Sequence, residues 1–183
     1  MGFYEINYTS EILDDLVKNH TKQLPSDFLS EMGKQTVKDY YMQIHKWYKQ
    51  VRVFMLSNEF GDVSYVVFGF GYIGGLFSFL IRRPIKLFIF IVRRPLYFFD
   101  LIVYSLLSIK MDNELLYIFS SKSKTGLGSE LIKSSLNLFE LNTIIYVKTL
   151  EKTNNNVRFY KKNGFVHFKK IKGRIILKFI KSN

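Results

Sequence analysis

Residues 120–131, SSKSKTGLGSEL, place Gly126 and Gly128 two positions apart, with Lys122 and Lys124 just ahead of them and an apolar run, ELLYIFSS, leading in from 114 to 121. Glycine lets a backbone come close to a ligand. A helix starting at such a loop offers unpaired N–H groups and the positive end of its dipole to a phosphate. The two lysines add mobile positive charge, so the stretch suits a phosphorylated ligand. A second polar cluster, TNNNVRFYKKNGF at 153–165, sets Asn154, Asn155 and Asn156 ahead of the Tyr160 phenol and Lys161 and Lys162, and closes on Gly164–Phe165.

Other chemistries have little to build on. The chain has no cysteine, which excludes disulfides, thiolate metal sites and a cysteine nucleophile. Its three histidines, His20, His45 and His167, stand far apart and outside any metal-type spacing, so no metal is expected. Gly69, Gly71 and Gly74 match the dinucleotide fingerprint GxGxxG. The next acid is Asp100, beyond a proline-interrupted apolar stretch, so a strand closing in a bulge or loop is the better reading.

The elements that must carry these residues can be read from periodicity. Residues 3–8 read as a strand, and Thr9 or Ser10 caps a helix through EILDDLVKNH. After Pro25, Ser26 or Asp27 caps a second helix from Phe28 to Lys49, where Met32, Val37, Tyr40, Tyr41, Ile44 and Tyr48 recur at roughly helical spacing. Strands follow at 52–59 and 63–72 around the turn FGD at 60–62. Downstream come a strand at 114–121, a helix from TGLG to Glu140, a strand at 143–150, a helix at 154–163 ended by Gly164, and a strand pair turning near Lys172 and Gly173. This is a mixed α/β (α+β) order on one domain spanning 1–183, with an apolar insertion at about 76–109.

Hydrophobic residues make up 48% and aromatics 17% of the 183 residues, which excludes a disordered chain. The net charge of +12 attracts an anionic partner, yet the lysines are spread out, with no arginine-rich block or nucleic-acid-binding signature, so no nucleic acid is expected. No basic segment followed by an apolar one opens the chain, and a cytoplasmic protein is the expectation. In the insertion, RRP occurs at 82–84 and 93–95, each time before an apolar run too short and too interrupted by charge to span a bilayer. Two short helices are expected there, packed in the core, on a second subunit as in a homodimer, or on a membrane surface; core or subunit packing is favoured.

With these elements in place, the glycine loop resembles motif A of the GNAT superfamily of acyl-CoA N-acyltransferases, Arg/Gln-x-x-Gly-x-Gly/Ala after a central strand. Gly126 and Gly128 fill the glycine slots and Ser123 stands where the family prefers Arg or Gln. The second cluster resembles the family pattern Asn-x-x-Ala-x-x-x-Tyr-x-x-x-Gly-Phe, with Tyr160, Gly164 and Phe165 in register and Thr153 in the Asn slot. The resemblance follows the whole chain in element order and is specific from 114 to 165. It implies a GNAT-like central mixed, largely antiparallel sheet flanked by helices, and an N-acetyltransferase that moves an acetyl group from acetyl-CoA, its acyl-donor co-substrate, to the primary amine of a small molecule. The insertion before the central strand departs from the minimal pattern.

By the same resemblance, Ile118, Phe119 and Ser120 offer backbone to the pantetheine and the oxyanion. Ser123, Lys124, Thr125, Gly126, Leu127, Gly128 and Ser129 hold the pyrophosphate, and Asn154, Asn155, Tyr160 and Lys162 complete the cofactor site. Tyr160 is the acid for the departing thiolate. Glu114 is the candidate base, with Glu59, Asp62 or ordered water as alternatives and a solvent-facing strand-edge acid as its plain reading. The N-terminal LPSDFLSEMGKQTVKDYY, with the apolar insertion, looks similar to a subgroup associated with surface-polysaccharide loci, whose acceptors are nucleotide-linked amino sugars. A membrane-surface acyltransferase acting on a lipid-linked acceptor and a non-catalytic CoA-binding module are the alternatives.

Overall fold

Residues 58–62, around the expected turn at 60–62, make a tight turn. Asn58 N–H bonds Asp62 C=O at 3.1 Å, Asn58 Oδ1 accepts from the N–H of Phe60 and Asp62, and Gly61 takes φ +76. The computed structural model describes residues 2–7, 10–23, 28–75, 79, 81–93, 95–96, 98–99, 102, 111–121, 125–151, 154–171 and 174–182. The strands are β1 (Gly2–Ile6), β2 (Tyr48–Ser57), β3 (Val63–Tyr72), β4 (Asn113–Ser120), β5 (Ile144–Leu150), β6 (Val166–Ile171) and β7 (Arg174–Ile180). The helices are α1 (Ser10–Gln23), α2 (Phe28–Glu31), α3 (Lys34–Ile44), α4 (Pro84–Arg93), α5 (Leu127–Asn137) and α6 (Asn154–Lys162).

The strands form one seven-stranded sheet in the order β1-β2-β3-β4-β5-β7-β6. β1 runs antiparallel to β2, and β7 antiparallel to both β5 and β6, whereas β4 and β5 are parallel. A five-residue connection can join only antiparallel neighbours, so β2 and β3 are a hairpin. The mixed, largely antiparallel sheet flanked by helices is the architecture expected from the sequence.

The chain divides into two compact units. One comprises Met1–Asn7, Arg52–Gly69 and Asn113–Asn183; the other comprises Tyr8–Val51 and Phe70–Asp112. The core of the first is built by buried runs on the strands, such as Val53–Phe54 and Val66–Phe68, and by helical spacing on α5. Val53, Phe54, Val66, Phe68, Leu115, Ile145, Val147 and Leu177 are buried with Leu127, Leu131, Ile132 and Leu136. Each such side chain contributes roughly 1.5–3 kcal/mol on burial. Arg52 fixes the β1–β2 edge, gripping Glu5 with two 2.7 Å hydrogen bonds while its guanidinium lies 4.9 Å from the Phe54 ring centre.

In the second unit α1 packs on α3 through Ile12, Leu16 and Val17 against Val37, Tyr41 and Ile44. Buried His20 shares a 2.9 Å hydrogen bond with the Tyr41 hydroxyl. Tyr40, Trp47 and Phe79 meet edge-to-face at 5.2–6.0 Å between ring centres. One expectation needs correction here. The helix expected from Phe28 to Lys49 is broken at Gly33, whose φ of +96 ends α2 before α3 begins, and its last residues open β2 at Tyr48. Gly69 and Gly71 lie inside β3, with Gly71 N–H bonded to Asp112 C=O at 2.7 Å, so the GxGxxG match is a strand and its exit.

Candidate functional site

β4 and β5 are paired for only two residues. The register matches Glu114 with Tyr146 and Leu115 with Val147; from there β5 stays paired with β7 to Leu150, while β4 runs on through Ile118, Phe119 and Ser120 without β5 beside it. The sheet therefore forks just past Leu115. β4 is held on its other side by β3, where Ser121 N–H bonds Val63 C=O at 2.8 Å, Ser64 Oγ bonds Ser120 Oγ at 2.8 Å, and Phe119 stacks on Tyr65. Backbone groups on the open edge of a parallel pair can serve an extended ligand.

After β4 the chain turns into α5. Lys122, Ser123 and Lys124 lie outside the described residues. Thr125 and Gly126 are exposed, and Gly126, with φ +84, caps the helix in a left-handed conformation that only glycine adopts at little cost. Its C=O receives the N–H of Ser129 and Glu130 at 3.0 and 3.1 Å, and the first-turn N–H groups of Leu127 and Gly128 have no backbone partner among the described residues. A Cβ added at Gly126 meets nothing within 4 Å. One added at Gly128 stands 3.6 Å from Phe159 Cζ and 3.9 Å from Ile118 Cδ1, so Gly128 keeps open a methyl-sized space between α5, α6 and the fork wall. Leu127 is buried and can offer a ligand only its backbone.

The polar helix α6 ends in a Schellman motif. Phe165 N–H bonds Tyr160 C=O at 3.1 Å, Gly164 N–H bonds Lys161 C=O at 3.1 Å, and Gly164 sits at φ +89. The motif's apolar contact is Tyr160 against Phe165, with ring centres 5.6 Å apart. Tyr160 thus has a structural task of its own, and its burial pushes the phenol well above its ordinary value. The proton stays on Oη, which makes Tyr160 a firm hydrogen-bond donor but a weaker acid than a free phenol. Against a thiol near 8.5, full transfer from a phenol above 10 is uphill by at least about 2 kcal/mol. Asn155 and Lys162 are exposed on α6, and the backbone of Asn154 begins the helix.

Glu114 is not the solvent-facing acid that its place at a strand start suggested. Its carboxylate meets Lys148 Nζ at 2.6 Å, with both side chains about 5% exposed, at the apex of the fork. Burial pulls the Lys148 ammonium below its ordinary value, opposed by the adjacent Glu114 charge. Ile118 lies four residues on, about 13 Å along the strand, so any proton reaching Glu114 from there travels through water. Glu59 is exposed on the hairpin turn, and Asp62 accepts a 3.0 Å bond from Asn58 Nδ2; both precede Val63, which meets the far end of β4.

Two residues were missed by sequence reasoning. Lys148, inside the expected strand at 143–150, was given no role. Asn163, buried at the end of α6, donates through Nδ2 to Phe159 C=O at 2.8 Å and to Ser129 Oγ at 3.2 Å, tying α6 to the first turn of α5. Its Oδ1 is buried with no hydrogen-bond partner among the described residues. Among those residues, no group of three or more His, Asp or Glu is placed to hold a metal ion.

No protein-family model matches the sequence, and no curated protein does. Solved structures do match, over nearly the full length of both chains. The chain is similar to PH1933 from Pyrococcus horikoshii, with a TM-score of 0.62 at 12% identity, covering 100% of this chain and 99% of the other. It is similar to a GNAT-family protein from Desulfovibrio desulfuricans, with a TM-score of 0.57 at 12% identity and 98% of each chain covered. The chain has the GNAT fold. The Campylobacter jejuni N-acetyltransferase PseH, solved in complex with acetyl coenzyme A, matches at a TM-score of 0.50 and 9% identity, covering 99% of this chain and all of PseH. In this GNAT fold the forked strands, the glycine start of α5 and the Tyr160–Phe165 stop of α6 all belong to the same compact unit.

Proposed function

We propose that the protein transfers an acetyl group from acetyl-CoA directly to a primary amine of a small molecule, with a nucleotide-linked amino sugar as the acceptor class. The observation that carries this reading is the fork: two parallel strands paired at Glu114 and Leu115 and then parted, in the unit where α5 opens on two glycines. The residues suit acetyl-CoA. The open space at Gly126, the methyl-sized space at Gly128 and the first-turn N–H groups of Leu127 and Gly128 offer a pyrophosphate a close backbone approach.

In this reading Ile118, Phe119 and Ser120 present main chain along the fork to pantetheine and carbonyl oxygen. The segment from Ser123 to Ser129 takes the phosphates, with Lys122 or Lys124 supplying the side-chain contact that Arg or Gln gives in the family pattern. Asn154, Asn155 and Lys162 approach from α6. Acetyl-CoA brings the activated thioester; the protein orients it and manages protons. The acceptor amine must be uncharged to attack, and Glu114, held at the apex by Lys148, takes its proton through water. Tyr160 hydrogen-bonds the departing thiolate. A surplus of 12 positive charges and 17% aromatic residues suits a diphosphate-linked sugar, with lysines for the phosphates and rings for base and sugar.

Thiol release from acetyl-CoA across a panel of amines including amino-sugar nucleotides tests the proposal. Release above the hydrolysis background with an amino-sugar nucleotide is the expected result. Release only with polyamines or amino acids would overturn the acceptor class, and binding without release for any amine would leave a CoA-binding module.

A further inference from the structure

We propose that α4 is an in-plane anchor for an anionic lipid surface. From Val63 to Phe99 the sequence contains no Asp or Glu, while Arg82, Arg83, Lys86, Arg93 and Arg94 all fall within it. The segment is pinned at its start. Phe79 is buried, the Arg83 guanidinium lies 4.1 Å over its ring, and Arg83 is salt-bridged to Asp39 of α3. Beyond that anchor the apolar side chains face outward. Ile85, Phe88 and Val92, at i, i+3 and i+7 on one helical face, are 75%, 67% and 64% exposed, with Ile89 beside them and Leu96, 80% exposed, beyond the helix. Of the core or subunit packing favoured from the sequence, core packing is therefore not the fate of this face. A contiguous exposed patch of Ile, Phe, Val and Leu exceeds the scattered apolar exposure that is normal for a protein surface.

Charge and length select the occupant. Arg82 and Arg93, exposed at the two ends of α4, rim the apolar face with positive charge and no acid between them. A second copy docked face to face about a two-fold axis would set these arginines against each other with no carboxylate in the stretch to neutralise them. An anionic bilayer supplies the missing negative charge and covers the apolar face at once. Ten helical residues span about 15 Å, half of a bilayer's hydrocarbon core of roughly 30 Å. No helix among the described residues is long and apolar enough to cross a membrane, so α4 would lie along the surface.

The test is co-sedimentation of the full chain with vesicles of phosphatidylcholine alone and of phosphatidylcholine mixed with phosphatidylglycerol, alongside sedimentation velocity without lipid. The protein should pellet with the anionic vesicles only, and added salt should release it. Arg82→Ser with Arg93→Ser should weaken this binding by about thirtyfold. Phe88→Ser with Val92→Ser should abolish it, with unchanged melting temperature because these side chains are exposed. If that apolar pair fails to fold, the arginine pair decides alone. Absence of anionic-vesicle binding, binding that survives the arginine pair, or self-association that the apolar pair removes would each overturn the proposal, the last in favour of a second copy.

Discussion

Replacing Gly128 with alanine separates what the fold needs at the start of α5 from what a ligand needs there. Gly128 has helical geometry, and an added Cβ meets Phe159 Cζ at 3.6 Å, Phe159 Cε2 at 3.7 Å and Ile118 Cδ1 at 3.9 Å, all ordinary contacts. The unfolded chain loses freedom while the folded one gains a methyl contact, so the variant should be more stable by about 0.4–1 kcal/mol. For a chain of this size that raises the melting temperature by roughly 1–4 °C. The same methyl closes the space between the fork wall and α6, so acetyl-CoA affinity should fall at least about tenfold, or 1.4 kcal/mol. Gly126→Ala is the counterpart: its Cβ has open space, but φ +84 costs an L-residue about 1–2 kcal/mol, and the melting temperature should drop. Thermal denaturation and calorimetric titration with acetyl-CoA read both effects. A Gly128→Ala protein that is stable and binds acetyl-CoA as tightly as the parent would refute the ligand role of the glycine start.

Tyr160→Phe should lower turnover while leaving acetyl-CoA affinity and melting temperature nearly intact, because the ring still packs on Phe165; Tyr160→Ala, which removes that packing, should cost about 3 kcal/mol in a denaturant melt. Because the folded-state phenol is raised, its effect on stability is absent below about pH 10 and appears above it, where the unfolded chain ionises and the folded one resists. Each further pH unit should then lower stability by up to about 1.4 kcal/mol, and Tyr160→Phe should flatten that slope in alkaline melts. Lys148→Met leaves the buried Glu114 carboxylate without its cation and should destabilise by about 3–5 kcal/mol; adding Glu114→Gln should restore most of it, whereas two additive losses would contradict the pairing. If Glu114 is the base, Glu114→Gln should remove the acidic limb of the rate profile against pH rather than simply lower the rate at every pH.

The stretch from β4 to Phe165 was legible because its signals are local. A left-handed cap at Gly126 and a helix stop at Gly164 are written into consecutive residues. Gly33 was not read as a break, since Met32, Val37, Tyr41 and Ile44 keep helical spacing across it and periodicity alone does not register a positive φ. The helix also ran too far: a 3-10 turn at His45–Trp47 ends it, and Tyr48, a large apolar residue that fits a helix face or a strand, opens β2 instead. The fork had no signature of its own, because where two parallel strands part depends on register between residues some thirty positions apart. Lys148 escaped for the same reason: only the partner strand's Glu114 makes a lysine at an alternating position a buried one.

Calorimetric titration of the full chain with acetyl-CoA tests the central claim most directly. Saturable one-to-one binding with a dissociation constant on the order of micromolar, weakened by Gly128→Ala, is the predicted result. No heat of binding at millimolar acetyl-CoA would contradict the assignment of the fork and the glycine start of α5 to an acyl-CoA site.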